Sequence, residues 1–250
     1  MGKILGKSKL ASLNTIINYD YFDKYTNNCD NYPSINAAKS KLDKFQWNTN
    51  ISDKLLNALC YVYIREKNKK LYKNTCDYLY YWLGSKVLNN LRHKFFFFEV
   101  IKTIYAILSE GELGNVCDPV NSIYDYNFQK FKDIYDLSEN YHTYELDFIK
   151  MNPPCNKDYD EAIKSYRFLY NKLRNECSME KTYNNIQYCN VFNDFFTKEK
   201  DAQISSWTCQ LTETEEQDEH LDVEYGEEAD NEQLPETSAV EGLQRILLLQ

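Results

Sequence analysis

Apolar residues recur at intervals of three and four through most of the first 211 residues, the period of an amphipathic helix. Leu10, Leu13, Ile17 and Tyr21 step along one face of a first segment, and Asn27–Pro33 reads as a turn. Ser34 is the expected N-cap of a helix carrying Ile35, Ala38, Leu42 and Phe45. Ser52 is the expected cap of the next. There Leu55, Leu56, Leu59 and Tyr63 point inward, while Arg65, Lys67, Lys69 and Lys70 gather where cations offset the helix dipole. Leu71–Leu91 continues with Tyr78, Leu79, Trp82 and Leu83 as its core, with Gly84 as a point of interruption. Phe95–Leu108 is apolar on more than one side and is expected to be the central helix, stopping at Gly111.

The second half follows the same rhythm. A loop around Gly114, Cys117, Asp118 and Pro119 leads into 121–150, where Ile123, Tyr124, Phe128, Phe131, Ile134, Tyr135, Leu137 and Tyr141 form a long stripe, with a kink expected near Asn140. Pro153 and Pro154 break it. Tyr159–Cys177 is the clearest helix, with Tyr159, Ile163, Tyr166, Leu169, Tyr170 and Leu173 on one face. Ile186–Phe196 is the last, and Trp207 near Cys209 closes the domain. The expectation is an all-α, multi-helix bundle over 1–211.

Composition supports that class. Seven Gly and five Pro supply few obligatory turns, while 22 Tyr and 13 Phe carry much of the apolar content. The net charge of −9 is unevenly placed, because 212–250 holds thirteen acidic residues and one basic residue, Arg245. Residues 1–211 therefore carry 28 basic and 25 acidic side chains, a net of +3. The acidic segment 212–250 has too little apolar surface to offset its chain entropy and is expected to be a disordered tail. Neither part has the concentrated basic face that nucleic acid requires.

Eight cysteines (Cys29, Cys60, Cys76, Cys117, Cys155, Cys177, Cys189 and Cys209) lie along 1–211, an even number compatible with four disulfides and an oxidising compartment. Buried free thiols in an intracellular protein are the alternative. His93, His142 and His220 do not cluster with them, and no CxxC pair is present, so neither a metal nor a cofactor is expected. Met1–Ser12 lacks the apolar run of a signal peptide, Gly6 stands where a myristoylation motif needs Ser or Thr, and no stretch is long enough for a transmembrane span.

Catalytic patterns are equally sparse. Gly111 and Gly114 do not make a phosphate loop, and Gly84-Ser85-Lys86 is not a nucleophile elbow. Asp158, Asp160 and Glu161 fall in a first helical turn, where acids offset the dipole. Tyr78–Trp82 beside Lys69, Lys70 and Lys73 has the composition of a base-stacking platform, but its helical step fits a core face. Asn50-Ile51-Ser52 is a glycosylation sequon that matters only in an exported chain. No enzyme is expected; a Cys–His pair assembled by the fold is the one catalytic arrangement that sequence leaves open.

Lysine outnumbers arginine 24 to 5, as in translation of an AT-rich genome. Against that background, Leu56-Asn-Ala-Leu-Cys60 followed by Cys76-Asp-Tyr-Leu-Tyr-Tyr-Trp-Leu83 resembles the most recognisable block of the Plasmodium interspersed repeat family, the Vir proteins of the vivax malaria parasite. Tyr166-Arg-Phe-Leu-Tyr170 and Tyr188-Cys189 are similar to later parts of its pattern. The resemblance implies an exported, cysteine-containing helical domain at the infected red cell. It would act in antigenic variation, immune evasion and host-receptor adhesion, with receptors or antibodies as partners. Many members carry a transmembrane helix after a low-complexity linker; here the acidic segment stands in the linker's place and no span is read. Cys60–Cys76 and Cys177–Cys189 are the expected pairings, since each straddles a turn. The alternative is an intracellular helical scaffold with reduced cysteines and an acidic, partner-recruiting tail.

Overall fold

The computed structural model describes residues 4–26, 29, 32–72, 74–110, 114–118, 125–179 and 186–212. The readings at Gly111, Pro119, Ile123 and Tyr124, and the acidic tail from 213 onward, lie outside the described residues. In chain order the helices are α1 (Lys7–Ala11), α2 (Asn14–Lys24), α3 (Pro33–Leu42), α4 (Ser52–Lys67) and α5 (Thr75–Asn90). A 3-10 turn (Lys94–Phe96) then leads into α6 (Phe97–Glu110) and α7 (Asp125–Asp147). Strand β1 (Pro154–Cys155) precedes α8 (Lys157–Ser178), α9 (Ile186–Phe195) and α10 (Lys198–Ser206), and β2 (Gln210–Leu211) follows. The protein is all-α in class, with helix over 73% of the described residues.

The chain forms two compact units, Leu13–Asp136 and a second built from Met1–Ser12 with the residues from Leu137 onward. The division falls inside α7.

In the first unit the most enclosed helix is α5, where seven consecutive residues from Tyr78 to Gly84 are buried, as is Val87. A helix buried at consecutive positions is surrounded by protein on every side. The sequence pattern pointed to 95–108 for that role; α6 instead keeps one wet face. Gly84 does not interrupt α5. A Cβ there would fall 2.2 Å from Cζ of Phe128, so the missing side chain admits the buried α7 ring. Burial on α4 follows the expected stripe of Leu55, Leu56, Leu59 and Tyr63. The Tyr63 hydroxyl donates to the carbonyl of Ile107, 2.7 Å away, which ties α4 to α6.

Two helix starts and one stripe differ from expectation. Pro33, not a capped serine, opens α3; its fixed φ suits the first helical position and its missing N–H is no loss there. At α4, Ser52 is itself helical and its N–H is received by Oδ1 of Asn50 at 3.0 Å, so the asparagine does the local satisfying. The stripe Leu10–Leu13–Ile17–Tyr21 fails because the chain breaks at Ser12–Leu13, which resets the helical phase. α2 buries Thr15 and Phe22, and Ile17 and Tyr21 are exposed.

The second unit is organised by α8, whose Tyr159, Ile163, Tyr166, Tyr170 and Leu173 are buried as predicted. Asn156 caps α8 by accepting from Tyr159 N–H at 3.0 Å. Trp207 packs on Tyr141, Tyr144, Phe148 and Tyr166, with ring centroids between 5.4 and 6.1 Å. Two-residue strands were not foreseen. β1 and β2 pair in parallel, and Leu5 bridges Cys155 on the other side. Four backbone bonds of 2.8–2.9 Å, from Leu5 to Pro154, Asn156 to Leu5, Gln210 to Pro153 and Thr212 to Cys155, clasp three distant segments together.

Candidate functional site: a disulfide frame and an exposed tyrosine–arginine patch

All eight cysteines are paired, as Cys29–Cys60, Cys76–Cys117, Cys155–Cys209 and Cys177–Cys189. Their Cα separations of 5.2–5.8 Å suit a disulfide. Two bonds lie in each unit.

The expected Cys60–Cys76 pairing is therefore corrected, and helix geometry explains why. Consecutive helices joined by a short turn run antiparallel, so a cross-link needs cysteines equally far from the turn. Cys60 lies seven residues before the end of α4, whereas Cys76 is one residue into α5. A mismatch of six residues is about 9 Å of helix rise, beyond the reach of a disulfide. Cys177 and Cys189 lie one residue from the end of α8 and three from the start of α9, and they do pair.

With every thiol consumed, no cysteine is left to act with a histidine. His93 bonds Gln46 and His142 bonds Glu145, each on the surface. Among the described residues no three His, Cys, Asp or Glu side chains converge as a metal site. Asp158 and Asp160, which the sequence placed at a helix start, pair with Lys7 at 3.7 Å and Lys164 at 2.5 Å. No described helix is long and apolar enough to cross a membrane.

The block residues Leu56, Leu59, Tyr78, Leu79, Trp82 and Leu83 are all buried. They hold α4 and α5 in place and cannot themselves touch a ligand, and the enclosed Tyr78–Trp82 run cannot stack bases. The block instead positions its solvent face. On α4, Tyr61 stacks with Tyr21 of α2 at 5.9 Å and meets Tyr25 edge-on at 5.3 Å. Arg65, one turn on, lies 5.9 Å from the Tyr61 ring and 5.6 Å from Tyr72. Tyr21 is 48% and Tyr72 53% exposed. Burial pushes the Tyr61 hydroxyl up in pKa, with Arg65 pulling the other way, so the ring stays neutral. Sequence reasoning missed this patch, because it assigned Arg65 to the helix dipole and Tyr21 to a buried stripe. The i, i+4 spacing of Tyr61 and Arg65 was the available signal.

Residues 13–245 match the family model described as the Plasmodium vivax Vir protein. The chain belongs to the Vir family. Vir proteins are variant surface antigens of Plasmodium, are not known as enzymes, and are typically exported by the parasite. No curated protein and no solved structure matches the chain. Within this Vir chain the family block contributes the enclosed α5 and part of the buried face of α4, while its Cys60 and Cys76 reach outward to Cys29 and Cys117.

Proposed function

We propose that this Vir chain is an exported antigen of the infected red cell, serving immune evasion and adhesion. Its braced aromatic interior would hold the fold while its solvent face meets antibodies or a host receptor. The observation that carries this reading is the pairing of all eight cysteines, which belongs to an oxidising compartment and not to a reduced intracellular scaffold. Each cross-link lowers unfolded-chain entropy by about 2–4 kcal/mol, whereas substitutions on an exposed face cost about 0.5 kcal/mol or less. A fold so braced tolerates a changing surface. The Tyr21–Tyr61–Arg65–Tyr72 patch has the residue types that dominate binding energy at protein interfaces, and its stacked rings lose little freedom on binding.

The test is made on the protein from infected cells. Alkylation under denaturing conditions should find no free thiol, and antibodies raised against the folded chain should label intact infected red cells. Eight alkylatable thiols, or labelling that appears only after permeabilisation, would sink the proposal. Adhesion is read separately, as binding of the folded chain to host cells with and without Arg65→Ala and Tyr72→Ala.

A further inference from the structure

The junction of the 3-10 turn with α6 exposes three of four consecutive phenylalanines. Phe95 is 72%, Phe96 39% and Phe98 48% open to solvent, while Phe97 is buried. Phe95 and Phe96 rest against each other with ring centroids 3.9 Å apart. This exposure is not fraying. Phe97, Val100, Ile101 and Ile104 anchor α6 in the core. The preceding residues are pinned to the 46–48 segment: Asn48 N–H donates to Asn90 at 2.7 Å, Arg92 N–H donates to Gln46 at 2.9 Å, and the His93 ring meets the Gln46 side chain at 3.1 Å. The rings are held outward by a built turn.

Cations surround them. Arg92 precedes the turn, Lys94 opens it, and Lys102 lies one helical turn beyond Phe98 on the same face. All three are exposed, and among the described residues none has a carboxylate partner; Glu99 is the single acid in the run.

We propose that Phe95, Phe96 and Phe98, with Arg92, Lys94 and Lys102, form a docking surface for an anionic lipid bilayer. Rings on a convex turn enter the boundary between headgroups and acyl chains, about 5–10 Å deep, while the cations stay level with the phosphates. Charge complementarity selects this occupant, since unpaired basic side chains around an apolar tip match an anionic surface. The chemistry of the rings points the same way. Protein-binding surfaces rely on Tyr, Trp and Arg, whose polar tips orient a partner, whereas phenylalanine has no such group and a fluid bilayer requires none. The surface is separate from the tyrosine–arginine patch and stands whether or not that patch binds a receptor.

The experiment is flotation of the full chain, disulfides intact, with vesicles of phosphatidylcholine alone or with roughly one phosphatidylserine in three lipids. The chain should float with the anionic vesicles, and binding should fall in about 1 M salt, where the screening length is about 3 Å. Phe95→Ser with Phe98→Ser, and separately Lys94→Glu with Lys102→Glu, should each weaken partitioning by about tenfold or more. Circular dichroism of these surface variants should match the parent. A chain that stays soluble at every composition overturns the proposal, as does flotation that both variants leave unchanged. Loss of self-association in the phenylalanine variant without any vesicle binding would also overturn it, assigning the surface to a second copy of the chain.

Discussion

The Phe128 ring occupies the space that a side chain on Gly84 would need, with Cζ 2.2 Å from where the Cβ would stand. That ring also meets Tyr80, Tyr81 and Phe97, so it has nowhere to retreat. Gly84→Ala gains about 1 kcal/mol of helix propensity and loses about 1–3 kcal/mol to overpacking. The expected result is a less stable protein, by up to about 2 kcal/mol in urea unfolding. An alanine variant more stable than the parent would show that α7 does not press on α5.

Removal of disulfides should not be equal in cost. Cys155–Cys209 closes a span of 54 residues and Cys177–Cys189 one of 12. Loop-closure entropy makes these worth about 4 and about 3 kcal/mol, and the first also secures the clasp of Leu5, β1 and β2. The double variant Cys155→Ala/Cys209→Ala is expected to melt below Cys177→Ala/Cys189→Ala. Peptide mapping under non-reducing conditions should recover the four pairs, with no 60–76 peptide.

Two aspartates respond to pH in opposite senses. At Asp23 burial pushes the carboxyl up, but hydrogen bonds from Lys54 at 2.5 Å and Lys86 at 2.6 Å outweigh it and the pKa falls. Its stabilisation is present above the unfolded value and is lost as pH drops through the folded one. At Asp136 burial prevails over Lys132 and the Tyr19 hydroxyl, and the pKa rises. Its contribution is present at low pH and lost as pH climbs through the raised value. Urea midpoints measured from pH 3 to 7 should show a shallower acid loss for Asp23→Asn and a steeper one for Asp136→Asn. Identical profiles would remove both groups from the account.

The tyrosines should titrate late. Burial, then the Asp147 charge, pushes the Tyr144 hydroxyl up to about 12, and Tyr80, Tyr81, Tyr105 and Tyr166 are raised by the same desolvation. Raised folded values mean that stability falls as pH rises beyond the unfolded tyrosine range. Absorbance at alkaline pH should therefore show these buried tyrosines ionising only as the protein unfolds, and a full phenolate signal reached while the fold is intact would overturn the reading.

Asn156 accepts from Tyr159 N–H at the head of the longest helix of its unit. Asn156→Ala should cost about 1 kcal/mol, and Asn156→Ser should recover most of it. Equal stability of all three would mean that the clasp alone sets the start of α8.

Much of this was legible in the chain. Period and turn residues located the helices from α3 to α9, because burial of one stripe is a local property: Leu55, Leu59 and Tyr63, or Ile163, Tyr166 and Tyr170, need only face inward somewhere, whereas α10 buries Ile204 alone and has no stripe to read. Eight cysteines without a metal spacing pointed to disulfides for the same kind of reason. Which cysteine meets which depends on the relative height of distant segments, so Cys60 was matched to the nearest cysteine and not to Cys29. The role of Gly84 depends on a ring 44 positions away. Above all, four phenylalanines in a row have one hydrophobicity and two fates. The phase of α6 against its neighbours buries Phe97 and leaves Phe95, Phe96 and Phe98 in water, and only packing in three dimensions sets that phase.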